Sequence, residues 1–104
     1  MEVSRADAIE QARTALRDYY GEDLRDDELG EIVVREELIE EYPTAWTVPF
    51  ASEHFINSGD VNYALAPSVL LVPKDGSTAH YPPTAIPVEE YLADVASGRT
   101  KWLA

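Results

Sequence analysis

The chain has 104 residues, with 20 acidic and 8 basic side chains, a net charge of −12 at pH 7 with histidine neutral, and no cysteine. This length predicts one domain over residues 1–104, and the lack of cysteine excludes a disulfide scaffold, a thiolate zinc site and a cysteine nucleophile. With 45% hydrophobic residues the chain can form a core. No apolar run is long enough for a transmembrane helix, and the first ten residues lack the apolar segment of a signal peptide, so we expect a cytoplasmic protein.

The first predicted element is a helix over residues 5–20. Ser4 is a suitable N-cap with Asp7 three residues on, and Gly21 is a suitable residue just past the C-terminus. Apolar residues follow at helical spacing and predict the buried face: Ile9, Ala12, Leu16 and Tyr19.

The next segment is harder to assign. Residues 21–30 contain turn formers and acids with few apolar side chains, which predicts a loop with at most one short helical turn. Residues 32–42 fit either a strand or a helix, because their glutamate pairs suit a helix while Ile32, Val33 and Val34 are β-branched. The β-branched run favours a strand that Pro43 ends.

Residues 44–50 alternate cleanly and predict a strand with Trp46, Val48 and Phe50 on one face. Because Pro49 has no N–H to donate, this strand is expected at a sheet edge, or its pairing is expected to end there. Residues 57–60 predict a turn.

The second half of the chain predicts further strands and one helix. A short strand is expected at 63–65, a central strand buried on both faces at 69–73, a hairpin turn at 74–77 and a returning strand at 78–81. A helix is expected from Pro87 to Gly98, with Val88, Tyr91, Leu92 and Val95 buried.

This order of elements predicts an α+β fold of two layers, with an N-terminal helix, an antiparallel sheet of about four or five strands and a C-terminal helix. Both helices are expected on one face of the sheet. The predicted core joins Trp46, Val48, Phe50, Leu70 and Val72 to Ile9, Leu16, Tyr19, Tyr91, Leu92 and Val95.

The negative charge is concentrated in residues 22–41, which hold ten acids against Arg25 and Arg35. A net charge of −12 disfavours binding to nucleic acid or to an anionic membrane, and it favours rapid encounter with a basic protein. The segment can be a solvated face that aids solubility, or a docking surface for a cationic partner.

Catalytic and metal-binding patterns are scarce. His54 could act as a base with Glu53 or Asp60, but no nucleophile motif accompanies it, and a histidine packed in a loop is the simpler interpretation. The glycines are scattered and form no phosphate-binding loop, and the sequence has no His-x3-His or EF-hand spacing. We therefore expect no enzymatic activity, no metal and no cofactor.

Trp102 lies close to the chain end, after the residue that stops the last helix. It can fold back onto the domain, or it can remain exposed as an interface anchor. The sequence leaves both alternatives open.

Several phrases of the sequence, in this order and spacing, carry a resemblance to a known family. They are Arg5-Ala6-Asp7-Ala8-Ile9, Trp46-Thr47-Val48-Pro49-Phe50, Gly59-Asp60, Tyr63-Ala64-Leu65-Ala66, Val69-Leu70-Leu71-Val72 with Asp75-Gly76, and Ile86-Pro87-Val88-Glu89-Glu90-Tyr91-Leu92. In these the chain resembles the YrhB/immunity protein 35 family of small bacterial proteins. The sequence departs from the family pattern at Ala66-Pro67-Ser68 and at Tyr81-Pro82-Pro83-Thr84, which affects loops rather than the layered fold.

The resemblance implies an immunity protein that binds a cognate toxin and neutralises it by occlusion. The acidity of the chain suits a toxin with a basic surface. Together with the acidic first half, the resemblance predicts a partner-binding surface. Its members would be Asp26, Asp27, Glu28, Glu36, Glu37, Glu40 and Glu41 as a charged rim, with Tyr42 and Trp102 as apolar anchors. Alternatives are a chaperone-like stress protein that binds unfolded clients and, more weakly, a nucleic-acid mimic. The oligomeric state stays open.

Overall fold

Helix α1 spans Arg5–Tyr20, as the sequence predicts, in a computed structural model that describes residues 3–64, 68–82 and 86–102. The Ser4 hydroxyl accepts a hydrogen bond from the Asp7 amide at 3.2 Å, and the amide of Gly21 donates to the Arg17 carbonyl at the other end. These contacts satisfy backbone groups that a helix leaves without an internal partner at its ends.

The buried face of α1 follows an i, i+4 row through Ala8, Ala12 and Leu16, and Tyr20 continues that row into the core. The prediction that Tyr19 is buried is wrong, since 71% of its surface is exposed. Successive residues of an α-helix point about 100° apart around its axis. Because Tyr20 lies on the buried row, its neighbour Tyr19 points away from it.

Five antiparallel strands form a sheet in the described part of the chain: β1 (Arg25–Asp26), β2 (Gly30–Val34), β3 (Glu40–Glu41), β4 (Ala45–Ser52) and β5 (Val69–Pro73). Strand β4 is the central one. On one side it pairs with β2 through Phe50 and Val34, and with β3 through Thr47 and Glu40. On its other side it pairs with β5 along five residues, and β1 pairs only with β2.

The prediction of one strand over 32–42 is wrong. The chain leaves the sheet after Val34, makes a 3-10 turn at Glu36–Leu38 and returns as β3. Pro49 lies opposite this break. Its carbonyl accepts a hydrogen bond from the Arg35 amide at 2.8 Å, but it has no N–H to return one.

Pro49 therefore does not place its strand at an edge, and that part of the prediction is wrong. It instead lies in the gap between the partners β2 and β3, where pairing on that side is interrupted. A proline can lie in a central strand when the neighbouring chain moves away at that residue.

Three further segments differ from prediction. The expected loop at 21–30 contains β1, because its two residues pair with the start of β2. Helix α2 (Glu53–Ser58) begins at a Ser52 side-chain cap, includes the first two residues of the turn predicted at 57–60, and ends at Gly59. Tyr63 ends a second 3-10 turn, Val61–Tyr63, rather than beginning a strand, and the predicted strand residue Leu65 lies outside the described residues.

Strand β5 is apolar on both faces, as predicted, but it is not central. Beyond it the chain turns at 74–77, as expected, and returns with only one bridge, between Leu71 and His80, in place of the strand predicted at 78–81. In this bridge the Leu71 amide donates a hydrogen bond to the His80 carbonyl at 2.8 Å, and the His80 amide donates to the Leu71 carbonyl at 3.0 Å.

Helix α3 (Val88–Ala96) follows Pro87. Of the four residues predicted to be buried, Tyr91 and Leu92 are buried, while Val88 and Val95 are partly buried against the same cluster. The helix packs against Ala45 and Leu71, whereas α1 packs against the opposite face of the sheet, where Val48, Phe50, Leu70 and Val72 lie. The α+β class with an N-terminal helix, an antiparallel sheet and a C-terminal helix is confirmed. The expectation that both helices lie on one face is wrong, because adjacent apolar residues of β5 point to opposite faces and both faces need cover.

Candidate functional site

The predicted acidic residues 26–28 form the turn between β1 and β2. Asp26 stabilises that turn, since its Oδ1 accepts hydrogen bonds from the amides of Glu28 at 2.8 Å and Leu29 at 3.1 Å. Asp27 and Glu28 are exposed, and no salt bridge to either is found among the described residues. This turn therefore presents two carboxylates to solvent with their charge uncompensated at close range.

Glu36 and Glu37 lie in the 3-10 turn, and each already has a cation. The Arg13 guanidinium lies 3.0 Å from the Glu36 carboxylate, and that of Arg35 lies 2.5 Å from Glu37. A hydrogen bond from its own backbone amide, followed by that from Arg35, lowers the pKa of Glu37. These two carboxylates therefore contribute less to the negative potential of the surface than the sequence suggests.

Glu40 and Glu41 lie on β3 and make different contacts. The Glu41 carboxylate lies 2.6 Å from the ammonium of Lys74, whose side chain is only 10% exposed and lies 5.3 Å from the centre of the Trp46 ring. Glu40 accepts a hydrogen bond from the Tyr42 hydroxyl at 3.3 Å. Burial, and then Glu40, raise the pKa of Tyr42.

Trp102 folds back onto the domain, which is the first of the two alternatives that the sequence left open; the second was an exposed interface anchor. Its indole N–H donates to Asp75 at 3.3 Å, and its ring lies edge-on to Tyr91 and His80, at 5.8 and 5.5 Å between ring centres. Hydrogen bonds from Ser77, and a weaker one from the indole, lower the pKa of Asp75. The ring remains half-buried at the wall of a groove.

This groove has a volume of about 620 Å³ and lies between the β3–β4 turn, the 74–77 turn and the C-terminal end of α3. Thr44, Lys74 and Trp102 contribute to its wall. The Thr44 hydroxyl oxygen is buried and has no hydrogen-bond partner within the described ranges. The groove is thus partly polar and open to solvent.

The predicted partner-binding residues do not form one continuous rim. Glu40, Glu41, Tyr42 and Trp102 lie towards the start of β4, while residues 26–28 lie beyond its end. Ser52 lies five residues after Thr47, the residue opposite Glu40, which is a distance of about 17 Å along the strand. The structure therefore divides the acidic segment into an end near α3 and an end near the last turn of α1.

His54 was the candidate base, and the described residues around it form no acid–base pair with it. Its imidazole is exposed and lies 5.2 Å from the Tyr63 ring, and no hydrogen bond within the described residues joins it to Glu53 or Asp60. Glu53 instead accepts a hydrogen bond from the Glu31 amide at 3.2 Å. Within the same residues, no group of three or more acidic or histidine side chains is placed to hold a metal ion. Of the helices described, none has both the length and the apolar character needed to cross a bilayer.

Sequence reasoning missed a cluster of three tyrosines at the end of α1. The Tyr19 ring lies 4.7 Å from that of Tyr20 and 6.4 Å from that of Tyr81, both edge-on. The feature of the sequence that could have indicated this cluster is the adjacent pair Tyr19-Tyr20 directly before Gly21. When a helix ends directly after two aromatic residues, only one of them can continue the buried row.

These features describe a small acidic α+β domain with exposed carboxylates and aromatic rings. The family model for immunity protein 35 matches residues 6–94. The chain belongs to the immunity protein 35 family, and this membership implies a toxin as binding partner. Searches of curated proteins and of solved structures gave no significant match.

Proposed function

We propose that this protein neutralises a cognate toxin of a bacterial polymorphic toxin system by binding it and occluding the surface that the toxin needs for its activity. The family match over residues 6–94 carries this proposal. The protein acts by binding rather than by catalysis, and an interface of about 1,200–2,000 Å² in total is sufficient for a stable complex.

The partner proposed is a protein with a basic surface. A net charge of −12 accelerates encounter with such a surface and repels nucleic acid and anionic lipid, so neither of these is a proposed partner. The complex forms in the cytoplasm of the producing cell, where the toxin would otherwise act.

Among the candidate contact residues, Asp27, Glu28 and Glu40 are exposed, and no salt bridge to them is found in the part of the chain that the structure describes. Because Glu40 already accepts a hydrogen bond from Tyr42, Asp27 and Glu28 are the pair chosen for a charge test. Glu36, Glu37 and Glu41 are partly neutralised by cations of the same chain. Replacing these three by lysine would disturb the fold as well as the surface charge, which makes them poor test positions.

The test is co-expression with the product of the adjacent reading frame, scored by host survival and by co-purification. Survival that depends on this protein, with a complex of defined stoichiometry, is the expected result. Loss of survival despite good expression, with no complex, would overturn the proposal. Suppression of aggregation of unrelated proteins without one tight partner would favour the chaperone alternative.

Charge steering is tested on the purified pair. Replacing Asp27 and Glu28 by lysine is expected to slow association at least fivefold at 50 mM salt and much less at 500 mM, because salt screens exposed charges. The control replaces Glu89 and Glu90 by lysine, two adjacent exposed acids on α3, and gives the same change in net charge. Equal slowing by both double variants would show that only total charge matters.

A further inference from the structure

Tyr19, Tyr20 and Tyr81 form an aromatic patch where α1 ends. Tyr19 is 71% exposed, the largest fraction among the exposed large apolar side chains described. Large aromatic side chains are enriched at the energetic centres of protein interfaces, and an exposed cluster of them marks an interaction surface. Burying the Tyr19 ring in a complex would therefore stabilise that complex without altering the core.

The patch is held in place from beneath. The Tyr81 ring lies 6.2 Å from that of Phe50, which is 2% exposed, and Tyr20 packs against the same core cluster. Because two of the three rings are fixed by the fold, a partner that docks here loses little additional side-chain entropy. The patch is thus preorganised, unlike an isolated exposed side chain.

The polar groups of the patch are the three phenol hydroxyls. Of the residues that the structure describes, none makes a hydrogen bond to the hydroxyl of Tyr19, Tyr20 or Tyr81. Each hydroxyl can accept from an arginine N–H or donate to a backbone carbonyl. The patch therefore combines apolar ring faces with unused polar groups, a combination typical of tyrosine at interfaces.

Acidic residues border the patch. Residues 17–28 hold six acids against two arginines. The Asp26 carboxylate lies close enough to contribute, after burial and the two neighbouring tyrosines, to a raised pKa of Tyr20. Leu24 and Leu29, on either side of the turn at 26–28, pack against the same core cluster as Tyr20 and Tyr81, and the Leu24 amide donates to the Gly21 carbonyl at 3.0 Å. The turn that carries Asp27 and Glu28 therefore lies at the end of α1 that carries the rings.

We propose that the aromatic patch, with Asp27 and Glu28 beside it, is the docking surface for the toxin and that it takes arginine side chains from a basic face of that protein. This assignment rests on the proposed function and names which end of the acidic segment is used. A guanidinium can stack on a tyrosine ring while it bonds a neighbouring carboxylate. A second copy of this chain is a poor occupant, because it would bring two strongly acidic segments together.

The experiment measures the affinity of the purified product of the adjacent reading frame for Tyr19→Ala and for wild type. Tyr19→Ala is expected to raise Kd at least tenfold, mainly through faster dissociation, with an unchanged melting temperature because the ring is exposed. Replacing Asp27 by Asn together with Glu28 by Gln is expected to slow association while dissociation changes less.

Leu38→Ala is the matched control. Leu38 is 50% exposed and lies in the 3-10 turn whose Glu36 carbonyl accepts a hydrogen bond from Arg5. Arg5 begins the helix and Tyr19 lies fourteen residues on, which places the two ends about 21 Å apart. We expect Kd for Leu38→Ala within twofold of wild type.

The outcomes separate the two proposals. If wild type binds and Tyr19→Ala binds within twofold of it, the surface assignment is wrong and the toxin-binding function stands. Equal weakening by Leu38→Ala would likewise overturn the assignment. If wild type fails to bind the product and fails to protect the host, both proposals are lost.

Discussion

Gly30 is the position where a single added methyl group should disturb this fold most. It begins β2 at a φ of +80°, and a Cβ there would lie 2.7 Å from Oε1 and 3.1 Å from Cβ of Glu53, and 3.3 Å from Cδ2 of His54. The start of α2 is held against this strand by the hydrogen bond from the His54 amide to the Leu29 carbonyl at 3.2 Å. A methyl group therefore meets a segment that cannot move away freely.

The expected effect of Gly30→Ala follows from three contributions. The positive φ costs an alanine about 1–2 kcal/mol, and displacing the Glu53 carboxylate from the Glu31 amide costs about 1.5–3 kcal/mol. The lower entropy of the unfolded alanine chain offsets about 0.4–1 kcal/mol. The free energy of unfolding should fall by about 2–4 kcal/mol, which corresponds to roughly 10–20 °C in melting temperature for a domain of this size.

Gly76→Ala is the control, since Gly76 has a φ of +89° with nothing within 4 Å of an added Cβ. It bears the backbone strain without the steric contact, so its loss should be about 1 kcal/mol or less. Guanidinium denaturation followed by tryptophan fluorescence gives both values from the shift in midpoint at constant m. A difference between the two variants of under about 0.5 kcal/mol, close to the error of such measurements, would refute the reasoning from the Glu53 contact.

Three further predictions concern stability. Ser4→Ala should lower the free energy of unfolding by about 1 kcal/mol in the same assay, because the first turn of α1 loses its cap. Glu41→Gln should cost about 1–2 kcal/mol by leaving the buried ammonium of Lys74 without its counter-charge, whereas Glu40→Gln on the same strand should have little effect. The fold lowers the pKa of Asp75 below its usual value near 3.8, so its carboxylate stabilises the protein above that pH, and this stabilisation is lost as the pH falls through the lower folded value. Calorimetry at pH 6 and pH 3 should therefore show a smaller drop in melting temperature for Asp75→Asn than for wild type; an equal drop would contradict the assignment.

The acidic surface shows where sequence reasoning about a site reaches its limit. The ten acids of residues 22–41 could be counted from the sequence, but their partners could not, because Arg13 and Lys74 reach Glu36 and Glu41 across 23 and 33 residues. Such contacts depend on how the elements pack. The tyrosine patch was missed for the same reason. Tyr81 is distant from Tyr19 in the sequence, and the two rings come together only because the strands between them fold into the sheet.

The sequence by itself determined the features that depend on neighbouring residues: the two caps of α1, the shared face of Trp46, Val48 and Phe50 on β4, the start of α3 after Pro87 and the α+β class. Only the tertiary structure decided that β4 is central, that the chain breaks opposite Pro49, and that α1 and α3 cover opposite faces. Helix capping and hydrophobic periodicity involve residues close together in the sequence, so a short segment is enough to predict them. Strand pairing and the burial of two apolar faces are free-energy differences between whole arrangements of the chain, so distant residues decide them.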